Sequence, residues 1–144
     1  MIRTTFATLA SGLTLWAAAS VAQAQVPQYG PNVTHEQARK VLAAAIADAR
    51  RQNLPMAVAM VDTAGHLVAF ERMDNTQSAS IAVAQDKALS AAMYRRPTKV
   101  FQDLIAGGGV GLRVLSLRGA NAVEGGVPLA VDGLSTDTLG RRFK

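Results

Sequence analysis

From Met56 to Val61 the chain runs through six apolar residues without a break, fenced by Pro55 on one side and by Asp62-Thr63-Ala64-Gly65 on the other. A run this short between a proline and a glycine is a strand, and a strand without polar alternation is buried on both faces. Gly65 takes positive φ at no steric cost, so the Asp62–Gly65 stretch reads as a turn. His66 to Arg72 returns as a second strand, with Leu67 and Ala69 alternating against Val68 and Phe70. The pair forms a hairpin. At 144 residues, 49% of them hydrophobic, the chain suits one globular domain with a sizeable core.

Helical patterns flank the hairpin. Thr34 and Gln37 make a capping box, and Ala38, Val41, Leu42, Ala45, Ile46 and Ala49 form one apolar stripe after it. Arg50 and Arg51 in the last turn suit the helix dipole, and Asn53 with Pro55 ends the helix. A second helix begins at Ser78 or Ser80 and runs to about Arg95, with Ile81, Ala84, Ala88, Ala91 and Ala92 on a small-residue face that lets it lie close on another surface. Pro97 stops it. Thr98 is placed to cap a short helix carrying Val100, Phe101, Leu104 and Ile105, which Gly107-Gly108-Gly109 breaks. Leu112 to Leu117 reads as a short strand or irregular backbone, 118–126 as loop, and Val127 to Val131 as a strand before an Asp132-Gly133 turn. The order is that of an α+β fold, helices packed on an antiparallel sheet.

The first 24 residues read as a secretory signal. Arg3 supplies the positive start, Phe6 to Val21 the apolar stretch, and Ala22-Gln23-Ala24 the small residues that signal peptidase requires. The apolar stretch is short of the roughly 20 strongly apolar residues a membrane helix needs, so no membrane anchor is expected after cleavage. The expected location is periplasmic or secreted. Residues 25–33, with Pro27, Gly30 and Pro31, read as an extended, mobile leader. Losing Arg3 takes the net charge from +5 to +4, and Arg141, Arg142 and Lys144 at the tail account for most of the rest. Such a charge reports a basic tail, not a nucleic-acid surface. With no cysteine, disulfides, thiolate metal sites and thiol nucleophiles are excluded.

The residues of 55–68 (Pro-Met-Ala-Val-Ala-Met-Val-Asp-Thr-Ala-Gly-His-Leu-Val) resemble the GlcG/HbpS-like family, known for haem-degrading or haem-binding members. So do the Thr34 helix start, Asp86-Lys87-Ala88, Tyr94-Arg95-Arg96-Pro97-Thr98, the triple glycine and Glu124-Gly125-Gly126-Val127-Pro128-Leu129. The resemblance spans residues 34–133 and implies a profilin-like antiparallel sheet with helices packed on it, assembly into a homo-oligomer, and binding of haem or its iron. It also implies an accessory role beside a membrane sensor for exported members. The family's closing strand and helix have no counterpart in the pattern of residues 134–144, a divergent basic tail; they are expected to be missing or altered, as by truncation or a frameshift. A neighbouring strand would then show an unpaired edge.

Haem iron takes His, Met, Tyr or Cys as axial ligand. His35, in the first turn of the first helix, and His66, after the hairpin glycine, each read as an exposed residue or a ligand; two histidines are too few for a three-His metal site. Met56 and Met60 share one strand face and read as core. Met73 is the freer thioether, and Tyr94 is either a phenolate ligand or a helix-end packing residue. The resemblance implies that Thr98 lies at the iron as a weak, labile ligand. Arg95, Arg96 and Lys99 beside it suit haem propionates, since cations pair with carboxylates. The alternative is that Thr98 caps the short helix while the arginines are solvated. Lys87 is typical of the family, though a solvated helix face also accounts for it. The triple-glycine loop follows a helix instead of opening one, so it is no phosphate cradle. Two functions follow, an exported oligomeric protein that binds haem or a similar planar ligand without turnover, or an enzyme degrading haem or acting on a small organic acid, with a structural or signalling partner that takes no ligand as a third.

Overall fold

The computed structural model describes residues 26–131 and 134–141. The signal-like segment and the Asp132-Gly133 turn lie outside the described residues. The first element is α1 (His35–Arg51), closed by the capping box anticipated from the sequence: the Gln37 amide donates to Thr34 Oγ1 at 3.2 Å, and the Thr34 amide to Gln37 Oε1 at 2.8 Å. Then come β1 (Ala57–Val61), β2 (Leu67–Arg72), α2 (Ser80–Tyr94) and α3 (Lys99–Ala106). A 3-10 helix (Gly109–Ser116), β3 (Gly126–Val131) and β4 (Leu134–Arg141) complete the order. The chain is an α+β protein. Among the described residues no helix is long and apolar enough to cross a membrane.

All strand pairs are antiparallel, in the order β2-β1-β4-β3. β1 lies inside the sheet, and every one of its residues is buried. Its two faces are covered by different helices. Val58 and Met60 join Ala38, Leu42, Ile46 and Ala49 of α1. Ala57, Ala59 and Val61 join Ala84, Ala88 and Ala92 of α2. This double cover is what the unbroken apolar run requires. Each large side chain so buried contributes about 1.5–3 kcal/mol.

The β1–β2 turn is built around Asp62, whose Oδ1 accepts from the amides of His66 and Ala64 at 2.8 and 2.9 Å. Burial alone raises the Asp62 carboxyl, but these donors and the His66 ring outweigh it and hold it below the usual carboxylate value. Gly65 takes φ +90, as the turn reading demands.

Four expectations are corrected. Residues 134–141, read from the sequence as a tail without a strand pattern, form β4, which pairs with both β1 and β3. Its sequence conceals it because Leu134-Ser135-Thr136-Asp137-Thr138 offers neither the apolar run nor the alternation by which strands announce themselves. Neither β1 nor the inner side of β3 is therefore left open. Leu112–Leu117 is neither strand nor irregular but the second half of the 3-10 helix and its cap, because Gly107-Gly108-Gly109 turns the chain straight into a new helical segment. Residues 26–33 are not loose. Tyr29 donates its hydroxyl to the Ala92 carbonyl at 3.0 Å, Arg95 Nη1 to the Pro27 carbonyl at 2.9 Å, and Asn32 Oδ1 accepts from the Thr63 amide at 3.0 Å. Thr98 does not cap α3 with its side chain, for a reason that belongs to the site.

Candidate functional site

α2 rests on the sheet almost without intervening side chains. Gly126 of β3 and Gly140 of β4 are cross-strand partners, and both lie beneath it. A Cβ at Gly140 would collide with the Ala84 carbonyl, and one at Gly126 with the Lys87 carbonyl, one turn further along the helix. Only glycine admits a helix backbone so near. The strand is thereby brought within reach of polar side chains on the buried side of α2.

Those side chains hold the 121–126 loop. Lys87, 1% exposed, donates Nζ to the Glu124 carbonyl at 2.7 Å. Thr98, fully buried, donates Oγ1 to the Val123 carbonyl at 2.7 Å and accepts from the Gly126 amide at 2.9 Å. The Thr98 amide donates to the Gly126 carbonyl at 3.0 Å, so one residue is tied to β3 through backbone and side chain together. Ser90 Oγ accepts from the Asn121 amide at 2.9 Å, and Gln102 Oε1 from the Glu124 amide at 2.9 Å. Backbone groups that a buried loop would otherwise leave unpaired are thus satisfied by side chains from α2 and α3. Thr98 closes this clasp instead of capping α3.

Of the residues singled out from the sequence, Lys87 and Thr98 come together here. Lys87 is not on a solvated face: its spacing from Ser80, Ala84 and Ala91 places it on the buried stripe of α2. Tyr94 packs edge-on against Phe101, ring centroids 5.1 Å apart, and donates its hydroxyl to the Arg118 carbonyl at 2.8 Å. Arg95, in the left-handed conformation at the end of α2, lies over the Tyr29 ring at 4.8 Å. Arg96 Nε donates to the Tyr94 carbonyl at 3.1 Å. Lys99 pairs with Asp103 at 2.7 Å, and that carboxylate raises its pKa above the ordinary lysine value. His66 is an exposed turn residue beside Asp62, and Met56 and Met60 are core. Ser90, Gln102 and Asn121 went unnoticed in the sequence. The signal for Ser90 was its position one turn beyond Lys87 on the alanine stripe; Gln102 and Asn121 offered none.

Beside the clasp, α3 packs on the 3-10 helix, with the Gly111 backbone against the Leu104 carbonyl. Val100, Leu104 and Leu112 are exposed there, and Val110 and Leu115 are each 72% exposed. Isolated exposed apolar residues need no explanation, whereas contiguous groups of them are the usual material of contact surfaces.

Helices on both faces of a four-stranded antiparallel sheet, with a glycine-floored helix clasping a loop, define the class of this domain. The family model described as "Haem degrading protein HbpS-like" matches residues 33–140, and the chain belongs to that family. Protein GlcG of Escherichia coli K12 is 32% identical over 108 residues, 75% of this chain and 79% of that protein. Three solved structures share the fold. Klebsiella pneumoniae protein ORFY superposes with a TM-score of 0.71 at 21% identity, covering 84% of this chain and 85% of that one. HbpS gives 0.71 at 24% identity, with 80% and 79% covered. A complex of PduOC with haem gives 0.68 at 24%, with 77% and 82% covered. Haem binding is therefore a property found among proteins of this fold.

The residues present fit haem unequally. Arg96 and Lys99 lie within a few residues of the exposed Val100 and Leu104 along the chain, the combination of cations and apolar surface that a ring bearing two carboxylates requires. The buried Thr98 hydroxyl has its donor and one acceptor direction filled. Iron reaches it only if the clasp opens.

Proposed function

We propose that this chain is an exported, oligomeric haem-binding protein that acts by binding and not by turnover. The observation that carries the reading is the group of exposed apolar residues on α3 and the 3-10 helix, preceded directly in the chain by Arg95, Arg96 and Lys99, in a chain of the HbpS-like family. Arg96 and Lys99 would hold the propionates through charge-assisted hydrogen bonds, and Val100 and Leu104 would support the ring. Bound haem supplies an iron whose ligand and redox state can report on the surroundings. The Lys87–Thr98 clasp keeps the adjoining loop shaped, and its release would expose Thr98 to the iron.

The Met1–Ala24 signal supports export to the periplasm or beyond. The apolar face supports a homo-oligomer. An accessory role toward a membrane sensor follows from the same family resemblance. Hemin titration of the purified protein tests the reading: a saturable Soret shift, weakened about tenfold by Arg96→Ala, is expected. An unshifted Soret band with folded protein would overturn it.

A further inference from the structure

On the other face of the sheet, away from the clasp, α1 and β2 leave a groove of about 350 Å³. That volume is within the range of small-molecule sites. Leu42 and Ala69 give it an apolar floor. His35 and Arg39, one turn apart on α1, form one wall, and Glu71 of β2 stands on the other. Glu71 pairs in register with Val58, so it occupies the sheet face that α1 covers with apolar side chains. A charged residue at such a position breaks the strand pattern, and departures of that kind concentrate at functional sites.

Nothing within the described chain answers that charge. The ion pairs among the described residues are Lys40–Glu36, Arg51–Asp48, His66–Asp62 and Lys99–Asp103. Glu71 and Arg39 face the same groove without pairing with each other. A half-buried carboxylate facing a cation across open space gives the groove opposite charges on its two walls. We infer that this groove binds a small amino-acid-like zwitterion with an apolar side chain. The Arg39 guanidinium takes the ligand carboxylate in its planar fork, with His35 as a second donor. Glu71 accepts from the ligand ammonium. The side chain lies over Leu42 and Ala69. This site is separate from the haem reading and does not depend on it.

The test uses L-leucine as probe, with isocaproate, which lacks the ammonium, and isoamylamine, which lacks the carboxylate. Calorimetry and amide shifts follow binding to the purified chain. Saturable leucine binding is expected, with shifts at Arg39, Leu42 and Glu71. Arg39→Ala and Glu71→Gln, at sites that make no ion pair among the described residues, are each expected to weaken leucine about tenfold. Isocaproate should be insensitive to Glu71→Gln, and isoamylamine to Arg39→Ala. Equal binding of all three probes, leucine binding unchanged in both variants, or no saturation would overturn the inference. So would displacement of leucine by hemin, whereas a failure of hemin to bind bears on the haem reading alone.

Discussion

α1 and α2 cover opposite faces of one sheet with different materials. The α1 face is filled by volume: Leu42, Ile46, Met56, Val58 and Met60 interlock at a distance set by their side chains. The α2 face is filled by proximity. Alanines meet alanines, two opposed glycines admit the helix backbone, and Lys87, Ser90 and Thr98 turn inward to bond a loop. Close approach lets polar side chains of α2 and α3 reach backbone partners in the loop. The thick interface serves the fold; the thin one serves the fold and shapes the candidate site.

Substitutions separate the two. Gly140→Ala drives a methyl into the Ala84 carbonyl and should cost at least about 3 kcal/mol, beyond what repacking absorbs; chemical denaturation measures it. A change below about 1 kcal/mol would mean that α2 can ride up, and the contrast between the faces would collapse. On the thick face Met60→Ala should cost about 2–5 kcal/mol through lost burial and a cavity, with the 121–126 loop undisturbed.

Thr98→Val keeps the shape and removes the hydroxyl, leaving the Gly126 amide and Val123 carbonyl without their partner. A loss of about 2–4 kcal/mol is expected, largely restored by Thr98→Ser, in thermal melts read beside far-UV spectra. The smallest effect lies at the hairpin. Asp62 titrates below its ordinary value in the fold, so its contribution is complete above about pH 4 and fades as pH falls through the lowered folded value. Asp62→Asn should remove part of the acid sensitivity of stability below that pH while changing little at neutrality.

These contrasts also explain what the sequence disclosed. The α1 stripe, its capping box and the unbroken run of β1 announce themselves because volume packing is written in large apolar residues at regular spacing. The clasp is written otherwise. Lys87 reads as solvent-facing on chemistry and as buried on spacing from Ala84 and Ala91, and spacing was the truer guide. Thr98 looks like a helix cap because it precedes a helix, yet its hydroxyl is taken by a loop some 25 residues on. β4 is hidden because Leu134-Ser-Thr-Asp-Thr-Leu-Gly has no alternation, and only its glycine hints at the helix above it. Long-range hydrogen bonds leave no local pattern, and that is where legibility ends.

Native-state hydrogen exchange at the Gly126 amide tests the clasp most directly. The amide should exchange only on a scale approaching global unfolding in the wild-type protein, and should lose most of that protection in Thr98→Val while the β1 amides keep theirs relative to each protein's own stability. Free exchange at Gly126 in the wild type, or unchanged protection in Thr98→Val, would contradict it.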